Sequence, residues 1–303
     1  MKELLMEVLV DGHLITITHP LKVLFPDDGI TKRQLVEYYH RIADRMLPYV
    51  RGRPLHMQRF PDGIGGVEIQ QKRIPASFPP WIARVEVMRR GGGALTHAVI
   101  NDAATLVYVA NQNCITPHVW PSRVDRIDFP DQVIFDLDPS TRDFSLVRRA
   151  ALSLKRLLED LGLAPFVKTT GSRGLHVLAP LDAQANFDAV HAFARRVAAE
   201  LVTQDPDRLT TEFRKQARRG RLFIDTARNG YAQTAAAPYA VRARPGAPLA
   251  MPIPWSEVAS ASLRPDGYTL RNVWRRIARR KDPWAGMEEA AGSVWDATAR
   301  LPA

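Results

Sequence analysis

The stretch QVIFDLDPS, residues 132–140, is an apolar run that ends in two aspartates, Asp136 and Asp138, followed at once by Pro139. Carboxylates are rarely buried without a partner, so two acids at the end of a buried strand need an explanation. Because side chains alternate along a strand, both acids point to one face, about 6 to 7 Å apart at the usual rise per residue. The pattern predicts a strand that presents two carboxylates side by side.

A second apolar stretch, RLFID at residues 221–225, also ends in an acid, Asp225. The sequence offers these three carboxylates no evident structural partner. Such a cluster suits two divalent cations, which are hard ions that prefer oxygen ligands. Two ions about 3.5 to 4 Å apart serve phosphoryl and nucleotidyl transfer, one at the attacking oxygen and one at the leaving oxygen. The three acids therefore predict a two-metal transfer site.

Two other interpretations of the aspartates remain open. Strand-end aspartates often only enter turns, and Asp138 before Pro139 suits a turn. The haloacid-dehalogenase type of phosphatase also ends a strand in a DxD pair with a nucleophilic first aspartate. Those enzymes usually continue with Gly and then Thr or Val, where this chain has Pro139 and Ser140.

The segments that follow the first acid pair predict an α/β order. Two amphipathic helices are expected, one from about Ser145 to Gly162 and one from Phe187 to Leu201. Between them FVKTT (166–170) and LHVLA (175–179) read as strands. The apolar positions that define the two helical faces are Leu146, Ala150, Leu154, Leu157, Leu158, Leu161, Phe187, Val190, Ala194, Val197 and Leu201. We expect a mixed α/β domain whose strand ends converge on one site.

The first hundred residues predict hairpins and helices. VLVDGHLITIT (8–18) has Asp-Gly between β-prone runs, and RVEVMRRGGGALTHAVI (84–100) alternates on both sides of three glycines. Thr31 can cap a helix in which Leu35, Tyr38, Tyr39, Ile42 and Met46 recur at helical spacing before Pro48. NDAATLVYVANQN (101–113) fits helix or strand, and a cap at either of its first two residues favours the helix.

The loop within KTTGSRGLHV, residues 168–177, combines two glycines, three hydroxyls and Arg173. Backbone N–H groups, hydroxyls and a guanidinium can together bind phosphate oxygens. The loop lacks the Gly-x4-Gly-Lys-Ser/Thr pattern of a P-loop. The alternative is a plain turn with one exposed arginine, followed by a histidine, His176, at the edge of the core.

Composition narrows the class of protein. Among 303 residues, 42 Lys plus Arg against 32 Asp plus Glu give a formal charge of +10 and a pI near 10.0. This balance favours polyanionic partners such as nucleic acid, although a merely basic globular protein remains the alternative. The single cysteine, Cys114, excludes an internal disulfide and a Cys/His zinc site with two cysteines. With no apolar run long enough to span a membrane and no signal-peptide pattern, we expect a cytoplasmic protein without a membrane partner.

Taken together, VIFDLDPS, KTTGSRGLHV and RLFIDTARN resemble the polymerase domain of bacterial ligase D, the non-homologous end-joining branch of the archaeo-eukaryotic primase superfamily. The resemblance covers nearly the whole chain. It implies an α/β fold, with a mixed-sheet, archaeo-eukaryotic primase-like catalytic core at about 121–300. An N-terminal α/β portion at about 1–120 is expected to pack on it and carry DNA-end contacts. Residues 1–303 would then form a single polymerase/primase domain of the ligase D type.

The resemblance implies a DNA-directed nucleotidyltransferase. It would add ribo- or deoxynucleotides to 3′ ends at gaps and double-strand breaks in non-homologous end-joining repair, using two Mn²⁺ or Mg²⁺ ions. Its catalytic metal ligands would be Asp136, Asp138 and Asp225. Carried over to this sequence, the nucleotide contacts are His118, Thr170, Ser172, Arg173, His176 and Arg242.

The same resemblance makes Lys22 and Lys32 the residues that bind the 5′-phosphate of gapped DNA. Lys32 would lie in the first turn of a helix, whose dipole and backbone N–H groups would assist them. Taken alone, each lysine is more simply interpreted as a solvated surface charge. The implied partners are DNA ends and gapped DNA with a 5′-phosphate, NTP or dNTP substrates, Ku and a DNA ligase. The implied location is the cytoplasm, in association with the nucleoid.

The chain departs from the family pattern at several positions. Ile69 and Gln70 stand where relatives commonly have two adjacent aromatics, and an aromatic platform under a base is worth about 1 to 3 kcal/mol. Arg228 replaces a usual glutamine, Arg173 a usual lysine and Thr170 a usual serine. Two alternative functions follow: a primase of the same superfamily, or a DNA-end-binding scaffold with weak or lost activity. No ligase or nuclease motif is present, so we expect a stand-alone homologue or an excised piece.

Overall fold

The computed structural model describes residues 5–141 and 143–302, which form two compact units. The first unit contains the residues up to Trp120 together with Ala235–Ala250 and Tyr268–Arg275. The second contains Pro121–Thr234, Met251–Gly267 and the residues from Arg276 onward. Each unit is therefore built from stretches that are distant in the sequence.

The strands and helices are numbered in chain order. The strands are β1 (Leu5–Val10), β2 (His13–Thr18), β3 (Val23–Phe25), β4 (Ile30–Thr31), β5 (Leu55–Arg59), β6 (Ile69–Gln71), β7 (Arg84–Met88), β8 (Ala94–Ala98), β9 (Cys114–Val119), β10 (Gln132–Asp138), β11 (Phe166–Thr169), β12 (Leu175–Pro180), β13 (Leu209–Thr210), β14 (Leu222–Asp225), β15 (Ala235–Ala236) and β16 (Pro252–Ile253). The helices are α1 (Lys32–Val50), α2 (Ala103–Asn111), α3 (Phe144–Asp160), α4 (Phe187–Gln204), α5 (Trp255–Val258), α6 (Val273–Ile277) and α7 (Val294–Arg300).

Both predicted hairpins of the first unit are confirmed. β1 pairs with β2 around Asp11 and Gly12, whose φ values of 48° and 79° are those of the tight turn that Asp-Gly favours. β7 pairs with β8 across the glycine-rich turn. A four-stranded sheet of order β15-β9-β5-β6 and the short pair β3-β4 supply the other strands of this unit.

The helices of the first unit begin where the sequence predicts. Thr31 caps α1, and its hydroxyl and the Gln34 side chain form a reciprocal capping box. The five predicted apolar positions of α1 are all buried, and the helix continues past Pro48 to Val50. Asp102 caps α2, so the ambiguous segment is a helix.

The second unit is built on a mixed six-stranded sheet of order β13-β14-β10-β12-β11-β16. β13 runs parallel to β14, and the other neighbouring pairs are antiparallel. Alternate residues of β10, namely Val133, Phe135 and Leu137, are fully buried. The helices α3 and α4 both contact β10. This apolar packing fixes the central strand and leaves its other face to the acids.

The two long helices of the second unit confirm the predicted apolar faces. Asp143 caps α3, Asn186 caps α4, and among the predicted apolar positions only Leu157 is half-buried. Cys114 is buried and free. In the described part of the chain, no helix combines the length and apolar character needed to cross a bilayer.

Candidate active site

Strand register brings the acids together on one face of the six-stranded sheet. Asp136 in β10 lies directly opposite Asp225 in β14 on one side and His176 in β12 on the other. His176 in turn lies opposite Lys168 in β11. Directly opposed residues share a face, with Cβ atoms about 4.5 to 5.5 Å apart. A row of two bases, Lys168 and His176, and two acids, Asp136 and Asp225, thus crosses four strands. Asp138 lies on the same face of β10, two residues after Asp136.

Asp136 is the centre of this row. Its Oδ2 lies 3.4 Å from Nε2 of His176 and 4.0 Å from a guanidinium nitrogen of Arg228. Burial lowers the pKa of His176 below its ordinary value; the charge of Asp136 raises it, and the charge of Lys168 lowers it. The buried imidazole is therefore uncharged at neutral pH and orients Asp136 without neutralising it.

Asp138 has two arginine partners, so the expectation that the acids lack structural partners was wrong for this residue. Arg173 donates to Oδ1 at 3.1 Å, and Arg218 donates to Oδ2 at 3.2 Å. Arg218 is buried, and its guanidinium also donates to the backbone oxygens of Glu212 and Phe213. The two guanidinium groups compensate the negative charge of Asp138, for which the sequence indicated no partner.

Sequence reasoning missed Lys168, which lies in the row, and Arg218. Arg218 lies in the basic run FRKQARRGRLF, where nothing in the pattern separates one arginine from the next. The structure distinguishes it by burial and by its position over the Phe223 ring, with 4.0 Å from the guanidinium carbon to the ring centroid. Phe223 lies opposite Asp138, which places the guanidinium beside that carboxylate.

Asp225 lies in this row and also accepts a hydrogen bond within the turn that follows β14. Its Oδ1 accepts a hydrogen bond of 2.8 Å from the backbone N–H of Ala227. The alternative interpretation, in which a strand-end aspartate serves a turn, therefore applies to one of the two carboxylate oxygens of Asp225.

The three carboxylates are suitable ligands for divalent metal ions, but in this structure they are not close enough together to hold one. Carboxylate oxygens on one sheet face are the donors that Mg²⁺ and Mn²⁺ prefer. Among residues 5–141 and 143–302, no three His, Cys, Asp or Glu side chains are close enough together to hold an ion. Both oxygens of Asp138 contact arginines in this structure, Oδ1 with Arg173 and Oδ2 with Arg218.

The predicted phosphate loop is closed by its own residues. Thr170 Oγ1 donates to the backbone oxygen of Gly174 and accepts from its N–H. A Cβ atom at position 174 would lie 2.0 Å from the backbone oxygen of Leu137, so only glycine fits where the loop meets β10. Ser172 and Arg173 instead line a cavity of about 940 Å³, together with Ser140 and other residues. The loop therefore offers one hydroxyl and one guanidinium to an open space beside Asp138.

The six predicted nucleotide contacts are divided between the units. Thr170, Ser172, Arg173 and His176 belong to the second unit, while His118 and Arg242 belong to the first. His118 in β9 lies opposite His56 in β5, with ring centroids 5.8 Å apart. The backbone N–H of Arg242 donates to the backbone oxygen of Pro248 at 2.7 Å.

The two predicted 5′-phosphate lysines are neighbours, since the backbone N–H of Lys32 donates to the backbone oxygen of Lys22. Lys32 is buried, with Nζ 3.0 Å from the Thr18 hydroxyl. Lys22 Nζ donates to the Pro61 backbone oxygen at 2.7 Å and lies 3.5 Å from Asp62.

The expected help from the start of α1 is not available to a phosphate. The first three backbone N–H groups already donate within the protein, to Lys22, Pro20 and Thr31. The prediction was wrong for these backbone N–H groups, because the backbone oxygens of Pro20 and Lys22 and the capping hydroxyl of Thr31 satisfy donors that a helix start usually leaves open. A phosphate here would depend on the ammonium groups.

The departures from the family pattern are visible at the edge of the four-stranded sheet. Ile69 and Gln70 lie in β6, the terminal strand of that sheet, and both are exposed. The Gln70 side chain donates to Glu68. This position therefore presents an aliphatic group and an amide, and neither gives the stacking surface of an aromatic ring.

Comparisons with known proteins identify the family. The sequence model of the family described as LigD, primase-polymerase domain, matches residues 31–284 of this chain. The chain is 34% identical over 277 residues to the multifunctional non-homologous end joining protein LigD of Mycobacterium bovis, covering 88% of this chain and 36% of that protein. It is 31% identical over 275 residues to the same-named protein of Pseudomonas aeruginosa, covering 89% of this chain and 32% of that protein.

A solved structure matches the fold. The polymerase domain of Mycobacterium tuberculosis ligase D, in complex with DNA, superposes with a TM-score of 0.85 at 32% identity, covering 92% of this chain and 99% of that one. The predicted resemblance and the predicted mixed α/β fold are thereby confirmed. The chain spans about a third of the length of the Mycobacterium bovis and Pseudomonas aeruginosa relatives. It belongs to the LigD primase-polymerase domain family, whose members are nucleotidyltransferases.

Proposed function

We propose that this chain adds ribo- or deoxynucleotides to 3′ ends at gaps and double-strand breaks during non-homologous end joining. The observation that carries the proposal is the register that places Asp136, Asp138 and Asp225 on one sheet face, beside a cavity of about 940 Å³ lined in part by Ser172 and Arg173. In the reaction the 3′-hydroxyl oxygen forms a bond to the α-phosphorus of the nucleotide. The bond from that phosphorus to the bridging oxygen breaks, pyrophosphate leaves, and the hydroxyl proton passes to solvent.

The three aspartates would hold the divalent ions. Family membership indicates a dependence on divalent metal ions in general; their number, two, and their identity, Mn²⁺ or Mg²⁺, belong to the proposal. Bound there, the ions would offset phosphate charge and favour the ionised hydroxyl. His176 would orient Asp136, and Arg173 and Arg218 contact the two oxygens of Asp138.

The nucleotide would bind through the remaining predicted contacts. Ser172 and Arg173 face the cavity and suit the triphosphate oxygens. Thr170 acts indirectly, because its hydroxyl closes the loop that presents them. His176 would act through Asp136. The family resemblance adds His118 and Arg242 as further nucleotide contacts.

DNA would be the second substrate, with Lys22 and Lys32 at the 5′-phosphate of a gap. The matching solved polymerase domain is in complex with DNA, and the net charge of +10 suits a polyanion. Relatives are named as non-homologous end joining proteins. On that basis Ku and a DNA ligase are the proposed partners, and the nucleoid within the cytoplasm is the proposed location.

A primer-extension assay on gapped, 5′-phosphorylated DNA tests the proposal. Each ribo- and deoxynucleotide is supplied with Mn²⁺, with Mg²⁺, or with excess EDTA. We expect extension with either ion and none with EDTA. An arm without a primer separates a polymerase from a primase, which would start chains there.

A DNA-end scaffold with weak or lost activity is the second candidate. The observation that favours it is the exposed Ile69 and Gln70 in place of an aromatic platform. In the same assay a scaffold binds the gapped DNA and leaves it unextended with every nucleotide and both metal ions.

A further inference from the structure

The segment Ala235–Ala250 of the first unit carries Arg242 and contains strained backbone. Tyr239, with φ 65°, and Ala247, with φ 46°, are non-glycine residues in the left-handed region, one on each side of Arg242 in the sequence. Both are fully buried. Such a conformation is unfavourable for a residue with a side chain and persists only where the surrounding structure holds it. The position of Arg242 therefore depends on the contacts that fix this segment.

Strand β9, which carries His118, fixes the segment from one side. Ala236 lies opposite His118 in the pairing of β15 with β9. The hydroxyl of Thr116, also in β9, donates to the backbone oxygen of Val241 at 2.7 Å. Val241 directly precedes Arg242 in the chain. The two nucleotide contacts expected in the first unit are thus joined through the hydrogen bonds of their neighbours.

Tyr39 of α1 joins the same two stretches from within the core. Its hydroxyl donates to the backbone oxygen of Ile115 in β9 at 2.6 Å and accepts the backbone N–H of Val241 at 3.0 Å. Val241 is fully buried, and a buried N–H that loses its acceptor is costly. Tyr39 and Thr116 therefore bind the N–H and the oxygen of one residue, directly before Arg242.

The chemistry of a buried phenol suits this double contact. Burial raises the pKa of Tyr39 well above its ordinary value, while the charge of Arg242 acts in the opposite direction. The hydroxyl therefore keeps its proton at neutral pH, so it can donate one hydrogen bond and accept another. The helical spacing in the sequence predicted Tyr39 only as an apolar position of α1, and the structure adds a polar role for the same side chain.

We propose that Tyr39 is a positioning residue for the incoming nucleotide. By holding β9 and Val241 together, its hydroxyl sets the spacing of His118 and Arg242. Tyr39 acts through these two residues and touches no substrate itself. This role rests on the proposed function, in which His118 and Arg242 contact the nucleotide.

Calorimetric titration with UTP and Mn²⁺ measures the nucleotide Kd, and gap extension measures the KM for DNA. Tyr39→Phe keeps the ring in the core and removes the hydroxyl. It should raise the Kd for UTP about fivefold, the factor that one net hydrogen bond contributes. The KM for DNA should stay unchanged, because the two lysines proposed to bind the 5′-phosphate make none of these hydrogen bonds.

Thr116→Val tests the same clamp from the other side and replaces Tyr39→Phe should that variant not fold. It removes the second hydroxyl that binds Val241 with little change of shape, and it should also raise the Kd for UTP. The double variant should raise the Kd by less than the product of the two single effects, because both hydroxyls act on one residue.

Tyr38→Phe is the matched control. Tyr38 is an equally buried neighbour in α1, and its hydroxyl donates to the backbone oxygen of Tyr239 at 2.7 Å instead of joining β9 to Val241. Thermal melting of every variant measures the loss of stability. We expect Tyr38→Phe to lower the melting temperature and to leave the Kd for UTP unchanged.

An unchanged Kd in Tyr39→Phe, or an equal rise of the Kd in Tyr38→Phe, overturns the inference. The second result would mean that general loosening of the core suffices. A wild type that binds UTP and leaves the DNA unextended contradicts the proposed function, while the Kd comparison still decides the role of Tyr39. A wild type that binds no UTP overturns both.

Discussion

Single arginines determine the resting position of Asp138. Arg173 is largely exposed, and exposed ion pairs contribute little to stability. Arg218 is buried and satisfies two backbone oxygens in addition to the carboxylate. Removing one partner from a buried charge network leaves the others uncompensated, which is strongly destabilising. The two residues should therefore differ in their structural roles although both contact one side chain.

We expect Arg218→Ala to lower the free energy of unfolding by about 2 kcal/mol, because hydrogen bonds to charged groups contribute on that order. Urea denaturation followed by circular dichroism measures the change. Arg219→Ala removes a neighbouring exposed arginine and serves as the control. Equal, small losses in both variants would mean that the buried contacts of Arg218 do not stabilise the fold.

His56 makes the stability of the protein depend on pH. Burial, followed by the charge of Lys72, lowers its pKa to about 4 in the folded protein, against about 6.5 in an unfolded chain. Between these values the unfolded state binds more protons than the folded state. Stability from this residue is therefore present above pH 6.5 and is lost as the pH falls toward 4.

His56→Gln should accordingly reduce the loss of melting temperature between pH 7.5 and pH 5. The comparison is made by calorimetry in the same buffers for the wild type, His56→Gln and His40→Gln, which removes an exposed histidine of α1. If His56→Gln and the wild type lose the same amount, protonation of His56 does not contribute to acid sensitivity.

At the scale of elements, the start of α1 and the preceding turn bring Lys22 and Lys32 together. Lys22→Ala should weaken binding to gapped DNA with a 5′-phosphate more than to the same DNA with a 5′-hydroxyl, because a terminal monoester carries extra negative charge. Each lost phosphate contact also removes roughly 0.9 from the slope of log affinity against log salt. Fluorescence anisotropy on the two DNAs at several salt concentrations measures both effects.

Arg33→Ala is the control for this element, since Arg33 follows Lys32 and pairs with Glu37 along the exposed side of α1. Lys22 is chosen over the buried Lys32 because its removal disturbs less of the core. Equal losses on the two DNAs would assign Lys22 to the general basic surface.

Elements with local signals could be predicted from the sequence. The Asp-Gly turn after β1, the Thr31 cap of α1 and the acid-ended strand β10 each depend on residues adjacent in the chain. The shared face of Asp136 and Asp138 follows from the alternation of a strand in the same way. Signals from residues adjacent in the chain therefore predicted most helices, most long strands and the shared face of Asp136 and Asp138.

Features that depend on distant residues could not be predicted in this way. The partners of Asp138 lie 35 and 80 positions away, and no periodicity links Arg218 to a strand formed so much earlier. The two-residue strands β15 and β16 exist only through pairing with distant strands. The N–H groups at the start of α1 were also assigned wrongly, because two of their acceptors are the backbone oxygens of Pro20 and Lys22, which precede β3 in the chain.

At the scale of the whole molecule, a net charge of +10 acts on every DNA contact at once. This long-range attraction depends on salt and not on which groups lie at the carboxylates. DNA affinity and catalysis should therefore respond to different substitutions. Substitutions at the acids should lower turnover, while the basic surface should still bind DNA.

The most direct test of the central claim measures primer extension and DNA binding together for Asp136→Ala and Asp225→Ala. Both assays use gapped, 5′-phosphorylated DNA and the metal ion that best supports the wild type. We predict that the wild type extends the primer, that each variant loses detectable extension, and that each binds the DNA with nearly wild-type affinity. Extension by either variant at close to the wild-type rate would contradict the claim that this row of carboxylates carries nucleotidyl transfer.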